Sequence, residues 1–139
     1  MIVLDTNVVS ELRRSVPNFN VFDWAARQPP DSLYITAVTE AEPWYGIELL
    51  PAGRNRTTLE AATERMINVF FDGRILPFDR AATQVYAEIR ASRRLAGRVI
   101  GELDCMIAAI ARVNGASVAT RDLYGFENCG VEVVNPWMD

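Results

Sequence analysis

Short unbroken apolar runs alternate along the chain with longer stretches of helical spacing. Ile2-Val3-Leu4 is a three-residue run ended by Asp5, and Val8 to Arg14 follows with helical character. A second helix is predicted over Val21 to Gln28, stopped by Pro29-Pro30, and Leu33-Tyr34-Ile35-Thr36 reads as a strand. Ala41 to Leu50 is expected to be helical and closed by Pro51-Ala52-Gly53. The clearest period comes next. Leu59, Met66, Ile67 and Phe70 recur at helical spacing, with Glu60, Glu64 and Arg65 opposite, and Gly73 ends the helix. Arg74-Ile75-Leu76-Pro77 is a short strand, and Asp79 is placed to cap a helix running to about Ala96. Glu102 to Asn114 forms another helix around Leu103, Met106, Ile107 and Ile110, stopping at Gly115. Strands at Ser117 to Thr120 and Val131 to Val134 complete the pattern. Strands alternating with helices predict an α/β fold, a parallel sheet covered by helices on both faces. Strand order is not readable from such a pattern.

With 139 residues, one domain over 1–139 is expected, large enough to bury a core without staples. Cys105 and Cys129 lack a CxxC-type pattern, and neither a basic leader nor an apolar stretch of membrane-spanning length is visible. A cytoplasmic protein without membrane contact is the expectation. Trp24, Trp44, Trp137, Phe19, Phe22, Phe70 and Phe71 are expected in the core or in protein interfaces.

Charge narrows the chemistry. There is no histidine, and all fourteen cations are arginine against eighteen acids, for a net charge of −4. Histidine-relayed catalysis, lysine Schiff bases, the P-loop lysine and histidine-ligated zinc are all excluded. Carboxylates, hydroxyls, arginine and backbone amides remain. In parallel sheets ligands bind beyond the carboxyl ends of strands, and Asp5 and Asp122 follow two such ends. Glu42 and Asp104 lie near the starts of helices, and only the fold can bring them to the same rim. Each acid has a structural alternative: Asp5 as a helix cap, Glu42 as the far end of a Thr39 capping box, Asp104 as a partner of the helix dipole, and Asp122 as the cap of a turn before Gly125.

Leu4-Asp5-Thr6-Asn7, Thr39-x-x-Glu42-x-x-x-Gly46-Ile47, Leu103-Asp104-x-x-Ile107-Ala108-Ala109 and Ala119-Thr120-Arg121-Asp122, in that order, resemble the successive signatures of PIN-domain ribonucleases. The similarity is to VapC-type toxins, particularly the FitB-like branch. It implies a PIN fold and Mg²⁺- or Mn²⁺-dependent cleavage of RNA. It also implies a homodimer, able to join a higher toxin–antitoxin assembly, whose cognate, DNA-binding antitoxin occupies the site. Carried over, the metal-binding acids fall on Asp5, Glu42, Asp104 and Asp122, with Asn7 and Thr120 as accompanying polar groups. This sequence departs from the family at Glu40 and Pro43, where apolar residues are usual. It departs again at Asp122 and Gly125, where asparagine and aspartate are common.

The physics agrees with that implication. Two carboxylates about 5 Å apart repel by roughly 3 kcal/mol at an effective dielectric of 20, so four together cost on the order of 20 kcal/mol. Such a cluster must take up protons or hold a cation, and oxygen-only ligands favour Mg²⁺ or Mn²⁺ over zinc. A bound divalent ion lowers the pKa of a water and neutralises a phosphoryl oxygen, which phosphodiester hydrolysis needs. Arg90, Arg94 and Arg98, with Arg93 alongside, form a candidate basic stripe for RNA, the alternative being a solvated helix face. Two rivals remain: another Mg²⁺-dependent phosphohydrolase, and a catalytically weak PIN-like binding module acting through its partner.

Overall fold

The computed structural model describes residues 1–138; Asp139, the last residue of the expected domain, lies outside the described residues. Five short strands and six helices alternate: β1 Ile2–Leu4, α1 Thr6–Leu12, α2 Phe19–Arg27, β2 Leu33–Thr36, α3 Ala37–Glu48, α4 Arg54–Arg65, β3 Ile75–Leu76, α5 Arg80–Leu95, α6 Glu102–Val113, β4 Ser117–Ala119 and β5 Val133–Val134. The expected α/β architecture is observed. All neighbouring strands pair in parallel, in the order β3-β2-β1-β4-β5.

The central strand explains the layering. Side chains of a strand alternate between faces, and here Val3 joins one core while Leu4 joins the other. Val3 packs with Ile89 of α5, Ile107 and Ile110 of α6, and Phe126. Leu4 packs with Val8, Val21, Trp24 and Phe71 on the opposite side. The chain winds from β1 outward through β2 and β3, then returns to place β4 on the other side of β1. The carboxyl ends of β1 and β4 therefore border the point where strand order reverses, the place where such sheets open a crevice.

Most expected elements shift by no more than two residues at an end, the last strand shrinking to Val133–Val134, and two differ by more. The helix expected from Ala41 begins four residues earlier, at Ala37, directly after β2. Its cap is Thr36, whose hydroxyl accepts from the Thr39 amide at 3.2 Å. Thr39 lies inside the helix, so the Thr39–Glu42 capping box does not exist. Pro43 stands within α3 and removes the amide that would reach the Thr39 carbonyl, yet the helix runs on to Glu48.

The second difference follows α4. The single helix expected to be ended by Gly73 becomes α4 and then one π turn over Met66–Phe70, closed by the Phe71 amide on the Met66 carbonyl at 3.0 Å. The wider turn inserts one extra residue, which shifts the phase of everything after it. Phe71 is consequently buried at 3% exposure, while Phe70 remains 49% exposed. The aromatic expectation divides likewise: Trp24 is buried, Trp44 and Trp137 pack partly against that core, and Phe19 and Phe22 stand exposed. Asp79 caps α5 as expected, accepting from the Ala82 amide. No helix among the described residues is long and apolar enough to cross a membrane.

The phase shift is testable by equilibrium unfolding in urea. Phe71→Ala should cost about 3–5 kcal/mol, as expected for a buried ring, and Phe70→Ala no more than about 1 kcal/mol. Equal losses would contradict the π turn.

Candidate active site

The parallel register of β1 and β4 pairs Leu4 with Ala119, so Asp5 and Thr120 leave the sheet side by side. The Asp5 amide donates to the Ala119 carbonyl at 2.9 Å. Asp5 caps α1 through the Thr6 amide at 2.8 Å, and its other oxygen accepts from the Thr120 hydroxyl at 2.7 Å and from the Asn7 amide group at 3.3 Å. Asn7 also donates to the Thr120 hydroxyl at 3.2 Å, which accepts as well from the Asp122 amide at 3.0 Å. Asp5 and Thr120 are both buried. The cap reading and the site reading of Asp5 thus hold together, one oxygen serving each.

Glu42 and Asp104 approach from two helices. Glu42 projects from α3, and Asp104 is the third residue of α6, whose first turn starts at Glu102. Asp5, Asn7, Glu42, Asp104 and Asp122 all line one cleft of about 670 Å³, together with Thr6, Leu103 and Ile107. The four acids named from the sequence are therefore brought to one place. They ring the cleft rather than converge: no three acidic or cysteine side chains among the described residues cage a single point.

Their electrostatics are coupled. Burial raises the proton affinity of Asp5, and the charge of Asp122 adds to this, against hydrogen bonds from Thr120 and Thr6. Asp104 is raised first by burial, then by Asp5, Asp122 and Glu42. Glu42 is raised by burial and by Asp5. No arginine relieves this field, since none of the ion pairs among the described residues includes any of the four acids.

Asp122 also serves the turn anticipated for it, accepting from the Gly125 amide at 2.8 Å. Sequence reasoning missed two hydroxyls at the cleft. Thr6 lines it and lies 3.2 Å, oxygen to oxygen, from the buried Thr39. Both threonines sit inside the quoted motifs, and that was the available signal.

The arginine stripe is not a free basic face. Arg90 pairs with Glu102 and Arg98 with Glu127, while Arg93 is buried; Arg94 alone of the four is exposed without an ion pair among the described residues. Helical spacing placed them in register, but residues from distant segments decide their surroundings. Arg121, next to Asp122, lies over the Trp137 ring at 5.1 Å.

Because Asp5, Glu42 and Asp104 bind protons more tightly in the fold than in the unfolded chain, the folded state holds the extra protons and stability falls as pH rises through the raised values. In chelator, the melting temperature should rise as pH is lowered from neutral toward the carboxylate range, and Asp104→Asn should flatten part of that slope. Scanning calorimetry across pH checks it; a slope unchanged by the substitution counts against the coupling.

Comparison with known proteins identifies the fold and the family. The model of the PIN domain matches residues 2–129. VapC ribonuclease Y4jK of Sinorhizobium fredii is 43% identical, covering 99% of this chain and 98% of its own. Toxin FitB of Neisseria gonorrhoeae is 41% identical over the full length of both chains. The solved structure of FitAB bound to an IR36 DNA fragment superposes with a TM-score of 0.91 at 41% identity, covering 99% of this chain and 96% of that one. The chain belongs to the PIN-domain family, in the VapC-type toxin branch that includes FitB.

Proposed function

We propose that this chain, acting as a single PIN domain in the cytoplasm, is a divalent-metal-dependent endoribonuclease and the toxin of a type II toxin–antitoxin pair. The observation that carries this is the meeting of four carboxylates from separate elements in one cleft, none of them in an ion pair among the described residues. An all-oxygen donor set suits Mg²⁺ or Mn²⁺, and Mg²⁺ in particular is commonly held by one or two carboxylates with its waters retained. A ring of acids that does not close on one point fits that mode. When bound, the ion supplies charge neutralisation at a phosphoryl oxygen and an acidified water for phosphodiester hydrolysis.

The protein's own part is placement. Asp5 and Asp104 are the principal ligands, with Glu42 and Asp122 at the exposed rim. Thr120 and Asn7 fix the buried Asp5 oxygen, so this ligand is oriented before anything binds. The substrate is an RNA strand.

The relatives support the partner. The FitAB complex, with its DNA fragment, is the kind of assembly into which this chain fits as a homodimer with a DNA-binding antitoxin. An apolar groove of about 630 Å³, lined by Val9, Leu12, Phe22, Met66, Val69 and Phe70 among others, suits the apolar face of such a partner segment.

The test is RNA cleavage by antitoxin-free protein in Mg²⁺. Asp5→Asn and Asp104→Asn should each lose about a hundredfold or more in rate with melting temperatures near that of the wild type. Saturating Mn²⁺ should raise the melting temperature of the wild type, by about 2.7 kcal/mol of stability at a hundredfold excess over Kd, and that of Asp104→Asn far less. Rates equal to wild type would overturn the assignment. Absent Mn²⁺ uptake, together with no phenotype for Asp104→Asn, would leave the binding module.

A further inference from the structure

Arg93 of α5 is 2% exposed and heads the fully buried side chains by volume, yet no carboxylate pairs with it among the described residues. A guanidinium keeps its charge at any working pH, so burying it requires hydrogen bonds to every side. Backbone carbonyls supply those of Nε and Nη1, and Cys129 Sγ lies 3.9 Å from Nη1 as well. Nε donates to Arg98 O at 2.7 Å, and Nη1 donates to Glu127 O at 2.6 Å and to Tyr124 O and Gly125 O, each at 3.2 Å. The Tyr124 ring lies 5.7 Å from the guanidinium carbon. A cation of α5 is thus spent on the loop that follows β4, the loop that carries Asp122.

Tyr124 and Gly125 share one peptide group, and its two ends face different charges. The carbonyl accepts from Arg93, and the N–H donates to Asp122 Oδ1 at 2.8 Å. A hydrogen bond at one end of a peptide polarises it and strengthens the bond at the other. The second carboxylate oxygen lies over the bare Cα of Gly125, where an added Cβ would come within 2.3 Å of Asp122 Oδ2. The seat of the carboxylate consists of that N–H and that missing side chain.

We propose that Arg93 is a positioning residue for Asp122: its buried guanidinium holds the Tyr124–Gly125 peptide, and that peptide sets the Asp122 carboxylate at the mouth of the acid cleft. The effect on metal affinity rests on the function proposed above; the effect on the Gly125 amide does not. A clamp that merely stabilised the loop would leave Asp122 to its own short turn, and the two roles separate in measurement.

The direct readout is the Gly125 amide in ¹H–¹⁵N spectra of the whole chain. Asp122→Asn should move that resonance, and Arg93→Lys should move it in the same direction by most of the same amount. In the double variant the two displacements should fail to add. A Gly125 amide left at its wild-type position by Arg93→Lys overturns the proposal, whether or not the protein binds metal. Should the lysine variant not fold, Arg93→Gln, which keeps two donors without the charge, takes its place.

Mn²⁺ titration calorimetry gives the second readout. Arg93→Lys and Gly125→Ala should each weaken binding about tenfold, the scale of losing an outer-shell partner, and Arg93→Lys should cost nothing further in an Asp122→Asn background. The alanine displaces only the end of a flexible side chain, so that variant retains Arg93 and the fold. If Asp122→Asn weakens Mn²⁺ while Arg93→Lys and Gly125→Ala do not, the positioning role is wrong. If the wild type takes up no Mn²⁺, the metal reading falls, and the amide shift decides the positioning role alone.

Discussion

The hydrogen bond from the Thr120 hydroxyl to the Asp5 carboxylate joins the two strand ends on which the site is built. It exists because β1 and β4 are parallel neighbours in a register that delivers residues 5 and 120 together. Buried carboxylates are tolerated only when their oxygens are hydrogen-bonded. Here one oxygen is held by the start of α1 and the other by Thr120 and Asn7. The same hydroxyl accepts the Asp122 amide, so the first acid fixes where the last one leaves the sheet. Glu42 and Asp104 then lean into a field whose strongest fixed member is Asp5, the neighbouring charge with the largest effect on each.

Features written in local runs were legible from the sequence. A three-residue apolar strand ended directly by Asp5, and a second short strand followed three residues on by Asp122, place both acids on the favoured rim once the sheet is parallel. Convergence of Glu42 and Asp104 was not a local property and came from the family resemblance. The start of α3 was misjudged because Thr36 and Thr39 are both good caps by composition. Where β2 ends decides between them, and pairing with β3 up to Thr36 settles that. The π turn left no mark either: its extra residue changes which phenylalanine turns inward without changing the apolar pattern. The arginines failed for a related reason. Arg90, Arg93, Arg94 and Arg98 look alike along α5 and its exit, and only later segments, Glu102 and the stretch from Tyr124 to Glu127, tell them apart.

Arginine is the protein's only side-chain cation, and its distribution leaves the cleft negative. Most of the ion pairs are exposed ones that contribute little to stability, such as Arg27 with Asp23 and Arg90 with Glu102. Arg93 goes to backbone carbonyls instead of carboxylates. A protein with nearly as many cations as acids therefore keeps four acids unpaired in one place. That arrangement works against folded stability at neutral pH, and a cation bound among the four acids would offset it.

The apolar groove and the acid cleft meet across a single peptide bond. Leu4 lines the groove and Asp5 the cleft; along α1, Thr6 and Asn7 face the cleft while Val9 and Leu12 face the groove. A seven-residue helix closes few hydrogen bonds of its own and is too short to be stable alone, so tertiary contacts hold it. Its amino end is secured by Asp5, the same residue that anchors the acids, and its apolar flank, Val9 and Leu12, lines part of the groove. A partner that fills the groove therefore adds contacts to the element carrying Asn7, and a ligand that neutralises Asp5 acts on the cap of the element lining the groove. The two sites differ in chemistry but share one short stretch of chain, residues 4 to 12, so a shift of α1 reaches both.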